Sequence, residues 1–405
     1  MKQSTESLFI PLCFGFIICG VVTVVAGPLL PVLATRWGLH DAQSGWFFLA
    51  QFVFSTAGAI LSPLHLRRNL TGGYALIAGG LLLLSFALGG SGPIGRPLAL
   101  TAFSLTGLGI GLSVTATNLH VGSVAGTERA HRLSVVNLFW GVGAVACPSV
   151  IAAAERARHL TLALLLMSVL AAGTFAAVAF LMTSTTDHND RDLRMPMGVD
   201  LRPLAFFALF LFLYVGTENA LGGWIATYAH RFNGTSLADA SLMVSLYWLA
   251  LLGGRGLGSL ALRILPERAV LFGGLLLALA ALIHLLSPHG TTVVMADVAA
   301  AGMGFGPLFP IGISRMLGLV NDARRTGWVF ALSATGGAAL PLLTGQLSTR
   351  AGSLRVGFLV PCTSLTAIFV LAVLEKRALR DPALALTGDK TQGLKNLARP
   401  ACPPG

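Results

Sequence analysis

Apolar runs of membrane-spanning length follow one another from end to end of this chain, and that pattern restricts its fold more than any other feature. A bilayer span needs about 20 mostly apolar residues. Twelve such runs are separated by short polar or turn-rich breaks, at about 8–35, 45–66, 73–91, 97–120, 133–154, 160–183, 203–230, 237–262, 268–287, 292–314, 326–348 and 355–375. Hydrophobic residues make up 55% of the 405 and charged ones only 11%, against roughly 25% charged in a soluble domain. No water-exposed fold of this size can hide so much apolar surface. A lipid-embedded backbone must satisfy its own hydrogen bonds, so the runs are predicted to be helices. The ten-residue alternation of barrel strands is absent. The expected fold class is an all-α membrane protein with twelve transmembrane helices in two pseudo-symmetric six-helix bundles.

The net charge of +11 is spread over short loops and not gathered on one face, which argues against a nucleic-acid partner and for contact with lipid headgroups. With both termini inside, the inner loops and flanks hold sixteen Lys/Arg, including Arg67, Arg68, Arg129, Arg132, Arg263, Arg268, Arg324 and Arg325. The outer loops then hold seven: Arg36, Arg96, Arg156, Arg158, Arg231, Arg350 and Arg355. The positive-inside rule therefore predicts cytoplasmic termini in a cell (inner) membrane. The longest internal polar stretch, residues 184–202, reads as a cytoplasmic linker between an N-terminal bundle (1–183) and a C-terminal bundle (203–375). Residues 376–405 read as a disordered cytoplasmic tail. The N-terminus, with Lys2 as its one basic residue, does not read as a secretory signal. The five cysteines, Cys13, Cys19, Cys147, Cys362 and Cys402, have no metal-ligand or disulfide spacing.

The two halves match at a nearly constant offset. Gly20 and Gly27 correspond to Gly216 and Gly223, and Gly58, Ser62 and Arg67 to Gly254, Gly258 and Arg263. Gly79-Gly80-Leu81-Leu82-Leu83 matches Gly273-Gly274-Leu275-Leu276-Leu277. Gly107-Leu108-Gly109-Ile110-Gly111 matches Gly302-Met303-Gly304-Phe305-Gly306, and the Gly143…Pro148 pattern matches Gly336…Pro341. Each unit has an even number of spans, so the copies run in the same sense. Two six-helix bundles related by an axis along the membrane normal make the major facilitator architecture, which carries solutes by rocking. The small residues allow close helix approach without side chains in the way, and Gly…Pro can bend a helix at one point.

Ionisable and polar groups inside spans are functional candidates because lipid makes them costly. Glu218 lies near the middle of span 7 beside Asn219, and its repeat counterpart is Val22. A carboxylate in an apolar cavity can exchange a proton near neutral pH, as proton coupling requires; the competing reading is a Glu locked to a neighbouring helix. Arg255 in span 8 stands about 9 Å nearer the inner face by helical rise. It is placed to pair with Glu218, to hold an anionic group, or to serve as an inner-gate charge. Ser245, Trp248, Leu252 and Arg255 form one helical stripe. Gln51, Asn118, Asn137, Trp140 and Trp224 complete the candidate substrate and proton pathway. Asp297 reads as a gate or cap residue near the outer boundary, and His120 and His131 as ordinary residues at the inner surface. Neither a phosphate-cradling loop nor a catalytic or metal cluster is present, so no enzyme activity and no cofactor are expected.

The segment Tyr214-Val215-Gly216-Thr217-Glu218-Asn219-Ala220-Leu221-Gly222-Gly223-Trp224, with Tyr228-Ala229, Gly254-Arg255 and Asn137…Gly143…Pro148, resembles the fucose permease and glucose/fucose–proton symporter group of the major facilitator superfamily. The superfamily resemblance covers the whole chain. It implies a monomeric secondary transporter of a small polar solute, a sugar or related metabolite, with possible use of protons. Two departures stand out. Fucose permeases carry carboxylates in spans 1 and 4, where this chain has none beyond the N-terminal tail. The superfamily's loop 2–3 motif has an acid before its basic pair, where this chain has Pro63-Leu64-His65-Leu66-Arg67-Arg68. Coupling would then rest on Glu218. Drug or metabolite efflux on the same fold, and a lipid-handling or receptor-like membrane protein, remain the alternatives.

Overall fold

The computed structural model describes residues 2–90, 94–124, 129–182, 202–319 and 323–378. The segments read above as linker and tail, apart from Arg202 at one edge and 376–378 at the other, lie outside the described residues.

Among the described residues, twelve spans are built from fifteen α-helices. Span 1 comprises α1 (Lys2–Val24) and α2 (Ala26–Trp37), bent by 41° at their junction. Spans 2 to 6 are α3 (Asp41–Leu61), α4 (Leu66–Gly89), α5 (Gly95–Val124), α6 (Arg129–Arg156) and α7 (Leu160–Leu181). Spans 7 to 9 are α8 (Arg202–Asn233), α9 (Leu237–Ala261) and α10 (Glu267–Leu285). Span 10 joins α11 (Thr291–Phe305) to α12 (Leu308–Leu319), span 11 is α13 (Ala323–Ala351), and span 12 joins α14 (Leu354–Gly357) to α15 (Leu359–Ala378). Ten stretches are long and apolar enough to cross a bilayer by length and composition, and the bent span 1 is an eleventh. Span 11, 29 residues long, is the twelfth; at 1.5 Å per residue its length suffices, and its apolar content is diluted by Ser333, Thr335, Thr344, Gln346 and Ser348.

The breaks have local causes. Pro28 lacks the N–H that would bond the Val24 carbonyl, just where span 1 bends. Pro307 does the same to Met303 at the break in span 10. Gly38 ends span 1 in the left-handed conformation, φ 60°, which costs a glycine little.

The matched glycines make matched crossings. A Cβ on Gly20 would strike the Trp140 carbonyl and one on Gly143 the Ile17 carbonyl, so spans 1 and 5 touch backbone to backbone. In the second half, a Cβ on Gly336 would strike the Phe212 carbonyl, and one on Gly216 would meet Leu340 and Gly336, joining spans 7 and 11. Gly58 abuts span 4 as Gly254 abuts span 10. The repeat legible in the sequence is therefore a repeat of helix contacts.

Between the bundles, span 2 packs along span 11 and span 5 along span 8, while α2, the half of span 1 beyond the bend, lies against spans 7 and 8. Large apolar side chains such as Phe86, Leu170 and Phe180 remain exposed on the outer circumference, as a lipid-facing surface requires.

Candidate functional site

Glu218 stands one turn after Tyr214 on span 7, so both side chains share a face. The Tyr214 hydroxyl donates to Glu218 Oε1 at 2.9 Å and also faces the Phe305 carbonyl at 3.3 Å, at the end of α11 where span 10 breaks. Arg255 reaches from span 8 and brings Nη2 to 3.6 Å from the same Oε1. Its guanidinium carbon stands 6.0 Å from the Phe309 ring centre. The Tyr247 hydroxyl donates to the Glu218 backbone carbonyl at 3.3 Å. Three spans thus converge on one buried carboxylate, 8% exposed. The helical offset that separates Glu218 from Arg255 along the sequence is bridged by the long Arg side chain.

Two donors near this centre have no acceptor among the described residues: Arg255 Nε and Trp248 Nε1. Trp248 is nearly buried and meets Trp140 of span 5 edge-on, ring centres 5.8 Å apart at 82°. Below it on the stripe, Leu252 would be struck by a Cβ on Gly141. Above it, the Ser245 hydroxyl pairs with Ser149 at 2.9 Å. The stripe on span 8 is therefore the seam against span 5. Gly222 faces Trp248 and Tyr247 from span 7, so the stripe on span 8 also borders span 7.

The other candidates are placed as follows. Asn219 donates to the Val215 carbonyl at 2.8 Å and is half-buried. Asn118 donates to Val114, and Asn137 to Leu133 and, at 3.5 Å, to Asn118 Oδ1, so spans 4 and 5 bring an amide pair together. Trp224 is fully buried, donates to the Pro341 carbonyl at 2.9 Å and packs on Phe48. Gln51 is 1% exposed and donates to the Val22 carbonyl at 2.7 Å. Asp297 accepts from or pairs with His284 Nδ1 at 2.9 Å within the second half. His120 differs from expectation: it lies inside span 4 and is buried, because α5 continues past the apolar run to Val124.

Sequence reading missed Asp41 and Arg315. Asp41 opens span 2 and is 5% exposed. Arg315 in span 10 bonds both Glu267 and Glu375, tying spans 9, 10 and 12 together. Each stands within a few residues of a span end, where a charge looks like an ordinary loop residue.

The sequence matches the model of the Major Facilitator Superfamily over residues 12–326. The chain belongs to that superfamily. It is 27% identical over 389 residues to a glucose/galactose transporter of Brucella abortus, covering 88% of this chain and 91% of that protein. It is 23% identical over 410 residues to sodium-dependent glucose transporter 1 of Danio rerio, covering 91% and 69%. Among solved structures it is similar to the E. coli fucose:proton symporter, with TM-score 0.60, 18% identity and 92% and 98% coverage. It is also similar to an inward-facing bacterial homologue of the human lysosomal transporter Spinster, with TM-score 0.69, 14% identity and 94% and 100% coverage. The superfamily member is a multi-pass membrane transporter that acts on a small-molecule substrate.

Proposed function

We propose that the protein carries a monosaccharide across a bacterial inner membrane by alternating access, coupled to protons through Glu218. The sugar assignment is supported by the glucose/galactose transporters among its relatives. The observation that carries the coupling is the buried Glu218–Arg255 pair with Tyr214 on the same oxygen. A proton on Glu218 neutralises the carboxylate and leaves Arg255 without its counter-charge. The guanidinium is then free to hold a substrate oxygen, alongside the unpartnered Trp248 N–H. Loss of the proton restores the pair and expels the ligand. Asn219, Trp140, Asn118 and Asn137 complete the sugar path in this reading, with aromatic faces against the ring and amides on its hydroxyls. Gln51 and Trp224 hold the frame, since both are fully buried with their donors on backbone carbonyls. The working unit is a monomer: bundle 1–183, linker 184–202, bundle 203–375 and tail 376–405. Both termini face the cytoplasm, which puts the Asp41 end outside.

Purified protein in proteoliposomes tests this. Uptake of labelled glucose, galactose or fucose is expected to accumulate under an inward pH gradient and not under a sodium gradient of equal size. Accumulation driven by sodium alone, or no thermal stabilisation by any monosaccharide, overturns it.

A further inference from the structure

The two bundles are fastened at one end by two acid–base contacts that the internal repeat relates to each other. Asp41 is the first residue of span 2, and Asp239 lies in the first turn of span 8, the repeat counterpart of span 2. Asp41 meets the end of span 11 through Ser348, whose hydroxyl donates to Oδ2 at 2.5 Å. The neighbouring Ala42 N–H donates to Thr349 Oγ1 at 2.8 Å. Asp239 meets the end of span 5, the counterpart of span 11, through Arg156. Both acids sit at helix N-termini and Arg156 at a helix C-terminus, so each helix dipole favours the charge it carries.

The two contacts are unequal. Arg231, from the last turn of span 7, forks onto both oxygens of Asp41 at 2.5 and 2.7 Å. Asp41 is 5% exposed and collects three charge-assisted hydrogen bonds, although the Arg231 side chain that makes two of them is itself 38% exposed. Asp239 and Arg156 are each 54% exposed, where solvent screening leaves an ion pair with little net effect. Asp239 also accepts from Ser236 of its own helix. The duplicated framework thus supplies two places for a latch, and the sequence has invested in one.

We propose that Asp41, forked by Arg231 and bonded by Ser348, is the gating residue that holds this face of the transporter closed, and that the Asp239–Arg156 pair contributes little. The bundles part at this face when the Asp41 contacts break. Spans 2, 7 and 11 are released together, because all three meet on one carboxylate.

The test reads the gate without reading transport, so it stands or falls separately from the sugar assignment. Ser241 is 1% exposed and its hydroxyl faces the Pro28 carbonyl across the bundle interface at 3.4 Å. Ser241→Cys in a Cys402→Ser background is a near-isosteric reporter, since the four remaining cysteines are buried. The protein lacking the reporter sets the baseline. In detergent-solubilised, monodisperse protein, Asp41→Asn is expected to speed maleimide labelling of the reporter by about tenfold, the loss of one to two units of charge-assisted bonding. Asp239→Asn is expected to change it by less than about twofold. Arg231→Gln removes the fork while leaving the Ser348 bond and the helix N-terminus intact, and is expected to speed labelling too, whereas Arg156→Gln on the exposed pair is not. Labelling of Asp41→Asn or Arg231→Gln at the parent rate, or equal acceleration by Asp239→Asn, overturns the proposal.

Discussion

Replacing Glu218 by Gln removes one charge and nothing of the side chain's size. The amide oxygen can still accept from Tyr214, so the local fold has a partner for that hydroxyl. What is lost is the attraction to Arg255. At the observed 3.6 Å and an effective dielectric constant near 20, that attraction is about 4.6 kcal/mol before desolvation. Arg255 is 31% exposed on its side chain, so solvent and the cost of burying both groups bring the net coupling down to about 2 kcal/mol. A double-mutant cycle of Glu218→Gln and Arg255→Gln, read by unfolding in a denaturing detergent series, is expected to return a coupling of that size. In proteoliposomes, a one-unit pH gradient is equivalent to about 1.4 kcal/mol per proton. One proton per sugar therefore supports about tenfold accumulation in the parent. The Glu218→Gln protein is expected to show none, while sugar-for-sugar exchange continues. A coupling energy near zero, together with undiminished accumulation, refutes the assignment of Glu218 as the proton site.

Trp248→Phe removes an N–H that has no acceptor among the described residues. It is expected to leave stability nearly unchanged and to weaken sugar binding by about three- to tenfold, one hydrogen bond's worth, in calorimetry. Trp224→Phe breaks a made bond to the Pro341 carbonyl and is expected to cost about 1 kcal/mol of stability, with binding altered less than by Trp248→Phe. Gly20→Ala places a Cβ on the Trp140 carbonyl, whereas Gly79→Ala meets open space. The first is expected to abolish recovery of monodisperse protein on size-exclusion chromatography and the second to leave it unchanged. Arg315→Met leaves Glu267 and Glu375 without their shared partner and is expected to destabilise the second bundle by about 3 kcal/mol, measured against the parent by chemical unfolding, without changing the ratio of gradient-driven uptake to exchange.

The architecture was legible because lipid imposes one rule everywhere. Span positions follow from hydropathy, and the parallel repeat follows from glycines spaced by the same contacts in each half. The matched pairs Gly20/Gly216 and Gly58/Gly254 are where a Cβ cannot fit. The site was legible in part. Glu218 and Arg255 stand out as charges in apolar runs, and their pairing depended only on the reach of one side chain. Asp41 was not legible, because a first-turn acid after a loop is ordinary in sequence. Its burial comes from the approach of spans 7 and 11, which lie about 190 and 307 positions away. Gln51 had the opposite fault: a polar residue in a span reads as pathway until its partner is known.

That partner shows where the two halves of the frame are alike and where they differ. Gln51 on span 2 donates to the carbonyl of Val22 on span 1. Tyr247, its counterpart on span 8, donates to the carbonyl of Glu218 on span 7, the counterpart of Val22. A Cβ on Gly107 would strike the carbonyl of Gln51, and one on the matching Gly302 that of Tyr247. Both bundles therefore fix the same carbonyl with the same neighbour and the same close approach from spans 4 and 10. The backbone arrangement is common to the two halves and cannot be what distinguishes them. The difference lies in the side chains it presents: Val22 in one half, Glu218 with Tyr214 and Arg255 in the other. A scaffold that positions residue 22 as firmly as residue 218 should accept a carboxylate at either place. Val22→Glu, however, would find no guanidinium at Ala59, the counterpart of Arg255, and would bury an unpaired charge. It is expected to fold only when accompanied by Ala59→Arg, with recovery of the double variant on size-exclusion chromatography exceeding that of the single one. Equal recovery of both would mean that the pairing of charge across spans 7 and 8 is incidental to the site.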